Sequence, residues 1–191
     1  MRSARTLRLE KKKAEFEAVV REHESGLLRY AARVLNDEDA AQDVVQDAFL
    51  KLHRNWSAVR KPGSSLSSWL YRVTHNLAVD HIRKKSRLQK LHWRQSRERE
   101  ALSTPKWRQN SGESAAAEKA RLALDALDMR ERQVTLLKVY EEKTYREISE
   151  ITGLSPGNVG YILHHAMKKM ARQIKENPKS VTGLRLIDVI R

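Results

Sequence analysis

With 38 Lys plus Arg against 24 Asp plus Glu in 191 residues, the chain carries a formal net charge of +14. An excess of that size points to polyanions, nucleic acid above all, as partners. The absence of cysteine excludes disulfides, a thiolate zinc site and a cysteine nucleophile, and is compatible with a reducing cytoplasm.

The N-terminal MRSARTLRLEKKKAEF is basic but lacks the apolar stretch and small-residue cleavage site of a secretory signal. No apolar run approaches the roughly 20 residues of a membrane span. A soluble cytoplasmic protein without membrane contact is expected. Residues 1–13 read as a basic tail. Apolar residues keep helical spacing, no alternating strand pattern appears, and the prolines (Pro62, Pro105, Pro156, Pro178) fall where helices should stop. The fold class expected is all-α.

The first segment, 14–92, opens with Phe16, Val19, Val20, Leu27, Leu28 and Ala31, a helix or helix pair around Gly26. Asn36 or Asp37 then caps a second helix, EDAAQDVVQDAFLKLHRNW. Its apolar stripe is Ala41, Val44, Val45, Ala48, Phe49 and Leu52. Opposite that stripe Asp39, Asp43 and Asp47 recur every four residues, with Gln42 and Gln46 beside them. Acids near a helix start complement its dipole. A row of them in so cationic a chain also suits docking to a basic partner.

The loop SAVRKPGSSLS leads to a third helix, SWLYRVTHNLAVDHIRKKSR. Leu66, Leu70, Val73 and Leu77 form its buried stripe, with Trp69. Arg72, Asn76 and Arg83 lie along another face, flanked by Tyr71, His75 and Asp80. Cations mixed with amide and carboxylate groups suit a nucleic-acid strand better than duplex phosphate alone.

Residues 93–117 lose the stripe and gain Ser, Pro and Gly, which reads as a flexible linker. Its Trp93 and Trp107 hint at docking. The second segment, 118–176, supplies a small four-helix core from Leu122, Leu124, Leu127, Val134, Leu136, Leu137, Ile148, Ile151, Leu154, Val159, Leu163, Ala166 and Met170. Within it ITGLSPGNVGYILHH is a helix-turn-helix corner. Gly153 suits a left-handed helix end, Ser155 a cap and Pro156 a first helical position. Exposed on the second helix are Ser155, Gly157, Asn158, Gly160, Tyr161, His164 and Lys168, a surface suited to phosphates and base edges. Residues 177–191 form a C-terminal extension with no assigned role.

No histidine set has metal spacing, and no phosphate loop or nucleophile elbow occurs. No catalytic residue, metal or cofactor is expected, and the chain is not read as an enzyme.

The acidic helix with DVVQDAF, the stretch WLYRVTHNLAVDHIR and the C-terminal helix-turn-helix, in that order, resemble the extracytoplasmic-function (ECF) sigma factors of bacterial RNA polymerase. The resemblance covers about residues 14–176. It implies two small helical domains, σ2-like and σ4-like, joined by the linker. Asp43, Gln46 and Asp47 would bind the clamp helices of the polymerase β′ subunit, and the β flap would be a further contact. Asn76, with the loop from Gly63 through Ser64 and Ser65 to Ser68, would capture a base flipped from the minus-ten element. Arg72, Asp80 and Arg83 would line that strand or the adjoining duplex. The helix from Pro156 would enter the major groove at the minus-thirty-five element. An anti-sigma factor is a further implied partner.

Gly157, Asn158, Val159, Leu163, His164 and Ala166 agree with the family's pattern. Gly160, Tyr161, Ile162 and His165 replace its usual basic or hydroxylic side chains, so a divergent or weaker minus-thirty-five preference is expected. The alternative function is a stand-alone helix-turn-helix regulator that needs no polymerase. It leaves the acidic helix and Asn76 without a purpose.

Overall fold

The computed structural model describes residues 4–59, 65–95, 120 and 122–176, and among them there is no strand. The first half holds α1 (Ala4–Leu35), α2 (Glu38–Arg54), the single turn α3 (Trp56–Val59) and α4 (Leu66–Gln95). A helical turn over 122–125 precedes α5 (Met129–Val139), α6 (Tyr145–Thr152) and α7 (Pro156–Glu176) in the second half.

The opening segment is one continuous helix, not a pair. It starts at Ala4, within the stretch read as a tail, and runs straight through Gly26. Asn36, at φ 55°, ends it in the left-handed region that asparagine tolerates. Asp37 is therefore the cap of α2. Its carboxylate accepts from the Ala40 N–H at 3.2 Å, and that bond holds its pKa below the ordinary carboxylate range. All six residues of the α2 stripe are buried.

α1 lies on α2 and α4, and α2 also lies on α4. Two contacts fix how α1 meets α4. The Tyr30 hydroxyl lies 2.9 Å from His75 Nδ1 in the interior. Gly26 sits against the Tyr71 hydroxyl, only 2.9 Å from where a Cβ would stand. Each pair is 45 residues apart, so the two helices run in the same direction.

α4 is buried on more sides than its expected stripe allows. Leu70 is buried, but Leu66, Trp69, Val73 and Leu77 are only half-buried, whereas Tyr71, Thr74, His75 and Ala78 are fully covered. The reason is a second neighbour, since α4 packs on α6 of the other half as well as on α1 and α2.

In the second half Val134, Leu136, Leu137, Ile148, Ile151, Val159, Leu163 and Ala166 are buried as expected. Leu122, expected in the core, is exposed instead. Asp128 and Glu131 form a capping box at the start of α5. Glu131, itself buried, also takes the Lys169 ammonium at 2.7 Å, which ties α5 to α7.

Burial pushes the His75 pKa down from 6.5 to about 4. Between those values the unfolded chain binds a proton that the native state does not, so stability falls as pH drops through that window and is indifferent to this group above it. Denaturation at pH 4–7 should therefore show an acid-side loss that is smaller in His75→Gln than in the wild type. Identical slopes for the two proteins would contradict a histidine buried in the neutral form.

Candidate nucleic-acid interface

On α2, Asp39, Gln42, Asp43, Gln46 and Asp47 are all exposed, opposite the buried stripe. None of them is drawn into the core, so the row stays available as one charged face. Leu50 lies one turn beyond Gln46 and Asp47 and is 49% exposed. Sequence reasoning missed it. Its position off the stripe was the available signal, and it gives the acidic face an apolar end.

On α4, Arg72, Asn76, Asp80 and Arg83 are exposed and share a face at spacings of four, four and three. Arg83 reaches Asp80 at 3.8 Å, an exposed pair. Their neighbours Tyr71 and His75 do not flank this surface but point into the protein. Ser65 caps α4, its hydroxyl accepting from the Ser68 N–H at 3.2 Å. Ser68 is helical and buried, so of the loop that the sequence assigns to base capture, Ser65 is the exposed described residue. Gly63 and Ser64 lie outside the described residues, as do the extension 177–191 and Trp107 of the linker.

The helix-turn-helix follows its punctuation. Gly153 adopts φ 74° and ends α6, with its N–H donating to the Ser149 carbonyl at 2.9 Å. The Ser155 hydroxyl accepts from the Asn158 N–H at 3.3 Å, capping α7. A second capping box, Thr144 with Glu147, starts α6. Ser155, Pro156, Gly157, Asn158, Tyr161, His164 and Lys168 are exposed, Tyr161 at 63%.

Three residues need correction on this face. Gly160 is only half-exposed, because the Tyr145 ring lies 3.5 Å from where its Cβ would stand. Ile162 is buried, so it belongs to the core and marks no missing DNA contact. His165 is exposed and its ring lies 4.4 Å from that of Tyr161. It extends the surface by one residue, legible from the i, i+4 spacing. Since 3.5 Å is ordinary contact, Gly160→Ala should fit and stabilise the domain by up to about 1 kcal/mol through helix propensity. A loss of stability on denaturation would show that the glycine is needed for packing.

The two halves meet at the turn between α5 and α6. Glu142, at φ 52°, reverses the chain there. The Tyr71 hydroxyl donates to the Glu141 carboxylate. Lys143 donates to the Ser67 hydroxyl at 3.1 Å and stands 4.5 Å above the Tyr71 ring. Arg33 of α1 stacks 4.2 Å above Tyr140. Further along, a cleft of about 320 Å³ separates the halves, with His75, Ile82 and Arg83 on one wall and Met129, Arg130 and Gln133 on the other. Among the described residues no group of acids and histidines could hold a metal ion.

Two family models match this chain. Sigma-70 region 2 matches residues 19–88, which carry α2 and the α4 face, and Sigma-70 region 4 matches residues 117–170, which carry the helix-turn-helix. The sigma factor SigV of Bacillus subtilis is 27% identical over 168 residues, 88% of this chain and 96% of that protein. The ECF sigma factor SigE of Mycolicibacterium smegmatis is 26% identical over 155 residues, 81% of this chain and 60% of that protein. Among solved structures, RpoE of Bartonella quintana, crystallised with the anti-sigma factor NepR, superposes with a TM-score of 0.69 at 20% identity, over 85% of this chain and 98% of that one. With both sigma-70 regions present, in order, the chain belongs to the ECF sigma factors of RNA polymerase.

Proposed function

We propose that this sigma factor docks on core RNA polymerase through Asp43, Gln46 and Asp47, opens the minus-ten element along α4, and reads the minus-thirty-five element with α7. The observation that carries the reading is the exposed acidic row of α2 in a chain of net charge +14. A row of outward carboxylates in so cationic a chain suits a basic surface on a larger assembly. Arg72, Asp80 and Arg83 line the displaced strand, and Asn76 with Ser65 takes a base out of the stack. Capture of that base offsets the few kcal/mol of unstacking and unpairing. The polymerase performs the chemistry, and the sigma factor supplies recognition, in the cytoplasm where the enzyme works. The pairing of RpoE with NepR supports an anti-sigma factor as a further partner. A stand-alone duplex-binding regulator is not favoured, because it leaves the α2 row and Asn76 idle.

Asp43→Arg with Asp47→Arg should abolish run-off transcription with core enzyme while the helical signal and melting curve stay native. Both positions are exposed, so the fold has no need of them. Full transcription by the double variant would refute the docking assignment.

Reading both promoter elements requires the halves to part. Twenty-five base pairs at 3.4 Å each put the elements about 85 Å apart, whereas a compact chain of this length has a radius of gyration of roughly 16 Å. The 24 residues between Gln95 and Ala120 reach at most about 80 Å, enough to follow. The polar part of the junction is modest, with one hydrogen bond to a carboxylate contributing about 1.5–3 kcal/mol and a cation–π contact about 0.5–2 kcal/mol. The packing of α4 on α6 must be given up as well, and binding to polymerase and promoter offsets it. Because the chain has no native cysteine, Ser67→Cys with Lys143→Cys joined by a short, reducible bis-maleimide closes it selectively. The linked protein should fail on a two-element promoter and recover on reduction. Undiminished transcription while linked would show that the closed form is competent.

A further inference from the structure

The start of α1 reaches past the domain that the rest of the helix helps to build. The parallel 45-residue register between α1 and α4 sets Leu66, where α4 begins, level with Arg21. The 17 residues of α1 from Ala4 to Val20 therefore project about 25 Å beyond the start of α4. Their inner part is anchored, with the Phe16 ring 5.4 Å from both His53 and Trp56. Beyond that anchor every residue from 6 to 14 is exposed. So short a stretch is not a stable helix by itself. It persists as a cantilever on the packed remainder of α1.

The cantilever is cationic. Over residues 6–14, Arg8, Lys11, Lys12 and Lys13 stand against Glu10; Arg2 and Arg5 precede them in sequence, and Glu15 and Glu17 follow. Lys13 is drawn to Glu17 at 3.8 Å, which leaves Arg8, Lys11 and Lys12 as the outer cations. Lys12 and Leu9 continue the core-facing line of Phe16 at i−4 and i−7, so a cation enters that line one turn beyond the buried part. The acidic row of α2 runs away from the arm, with Asp47 already about 9 Å short of His53 along the helix. α2 leaves α1 at Asn36 and returns with His53 beside Phe16, so Asp39 lies toward the far end of the domain.

We infer that this arm binds the phosphate backbone of promoter duplex running past the N-terminal end of α4, where Ser65 caps the strand-reading helix. The inference rests on the promoter-opening reading. Charge complementarity selects the occupant, and the arm's apolar residues exclude the other polyanionic surface. Leu7 and Leu9 are 54% and 60% exposed, but two positions apart on a helix is about 200° around it. They form no apolar face to enter a membrane interface.

The test is the salt dependence of promoter complexes formed by reconstituted holoenzyme with the full chain and with Arg8→Gln/Lys11→Gln/Lys12→Gln. Glutamine keeps helix propensity close to that of the residues replaced. The slope of log affinity against log salt should become shallower by about 0.9 for each phosphate that the variant no longer neutralises, with core-polymerase affinity unchanged. Trimming the template from each side toward the minus-ten element should erase the difference once the contacted duplex is gone. Equal slopes for the two proteins overturn the inference. So does capture of the wild type alone by phosphatidylglycerol vesicles with slopes equal, which assigns the arm to a lipid surface. Failure of the wild-type holoenzyme to form any promoter complex defeats the promoter reading itself, and the arm's role with it.

Discussion

Everything on α4 depends on how it is pinned to α1. A tyrosine hydroxyl and an imidazole buried together satisfy one another only at one register, and leaving either unpaired costs about 1–3 kcal/mol. Tyr30 opposite His75 and Gly26 opposite Tyr71 thus fix the rotation of α4 as well as its height. That rotation turns Arg72, Asn76, Asp80 and Arg83 outward together. A slip of one position would swing the row by about 100° and break it up. The same parallel alignment throws the start of α1 clear of the domain.

Gly26 shows how the halves are joined. A glycine inside a helix costs about 1 kcal/mol relative to alanine, and here the space it leaves is occupied. A Cβ would meet the Tyr71 hydroxyl at 2.9 Å and the Glu141 carboxylate at 3.6 Å. The junction therefore draws on three elements at once, α1, α4 and the α5–α6 turn. Its polar character matters as much as its geometry. Contacts made by Tyr71, Glu141, Lys143 and Arg33 give the parted halves polar groups that water can solvate, beside the packing of α4 on α6 that opening uncovers. The buried Tyr30–His75 pair holds the first half together, and part-buried polar pairs, with the packing of α4 on α6, hold the halves to each other.

How much of this was legible depends on how many neighbours each helix has. α2 packs its stripe on α1 and α4 and shows its other side to solvent, and a single 3.6-residue period reads that arrangement completely. The helix-turn-helix was legible for another reason: Gly153, Ser155 and Pro156 act through local backbone chemistry that needs no tertiary knowledge. α4 was misread because α6 covers a second side of it. Thr74, His75 and Ala78 are buried by that combination, and a one-stripe reading cannot anticipate a neighbour from the other half of the chain. Leu122 failed in the opposite sense, since this apolar residue near the end of a segment is left exposed. Gly160 was assigned to the DNA face by its place in a motif, and Ile162 was matched to a basic or hydroxylic position of the family, whereas packing against Tyr145 and the core decides where they sit.

The central claim is that the outward face of α2 is the grip on the polymerase, separate from the surfaces that meet DNA. Contact mapping tests it most directly. A photo-crosslinking amino acid at Gln46, with one at exposed Glu24 of α1 as control, would be irradiated in holoenzyme assembled without promoter. The account predicts an adduct from position 46 to the largest polymerase subunits and none from position 24. No adduct from position 46, or equal yields from both, would contradict it.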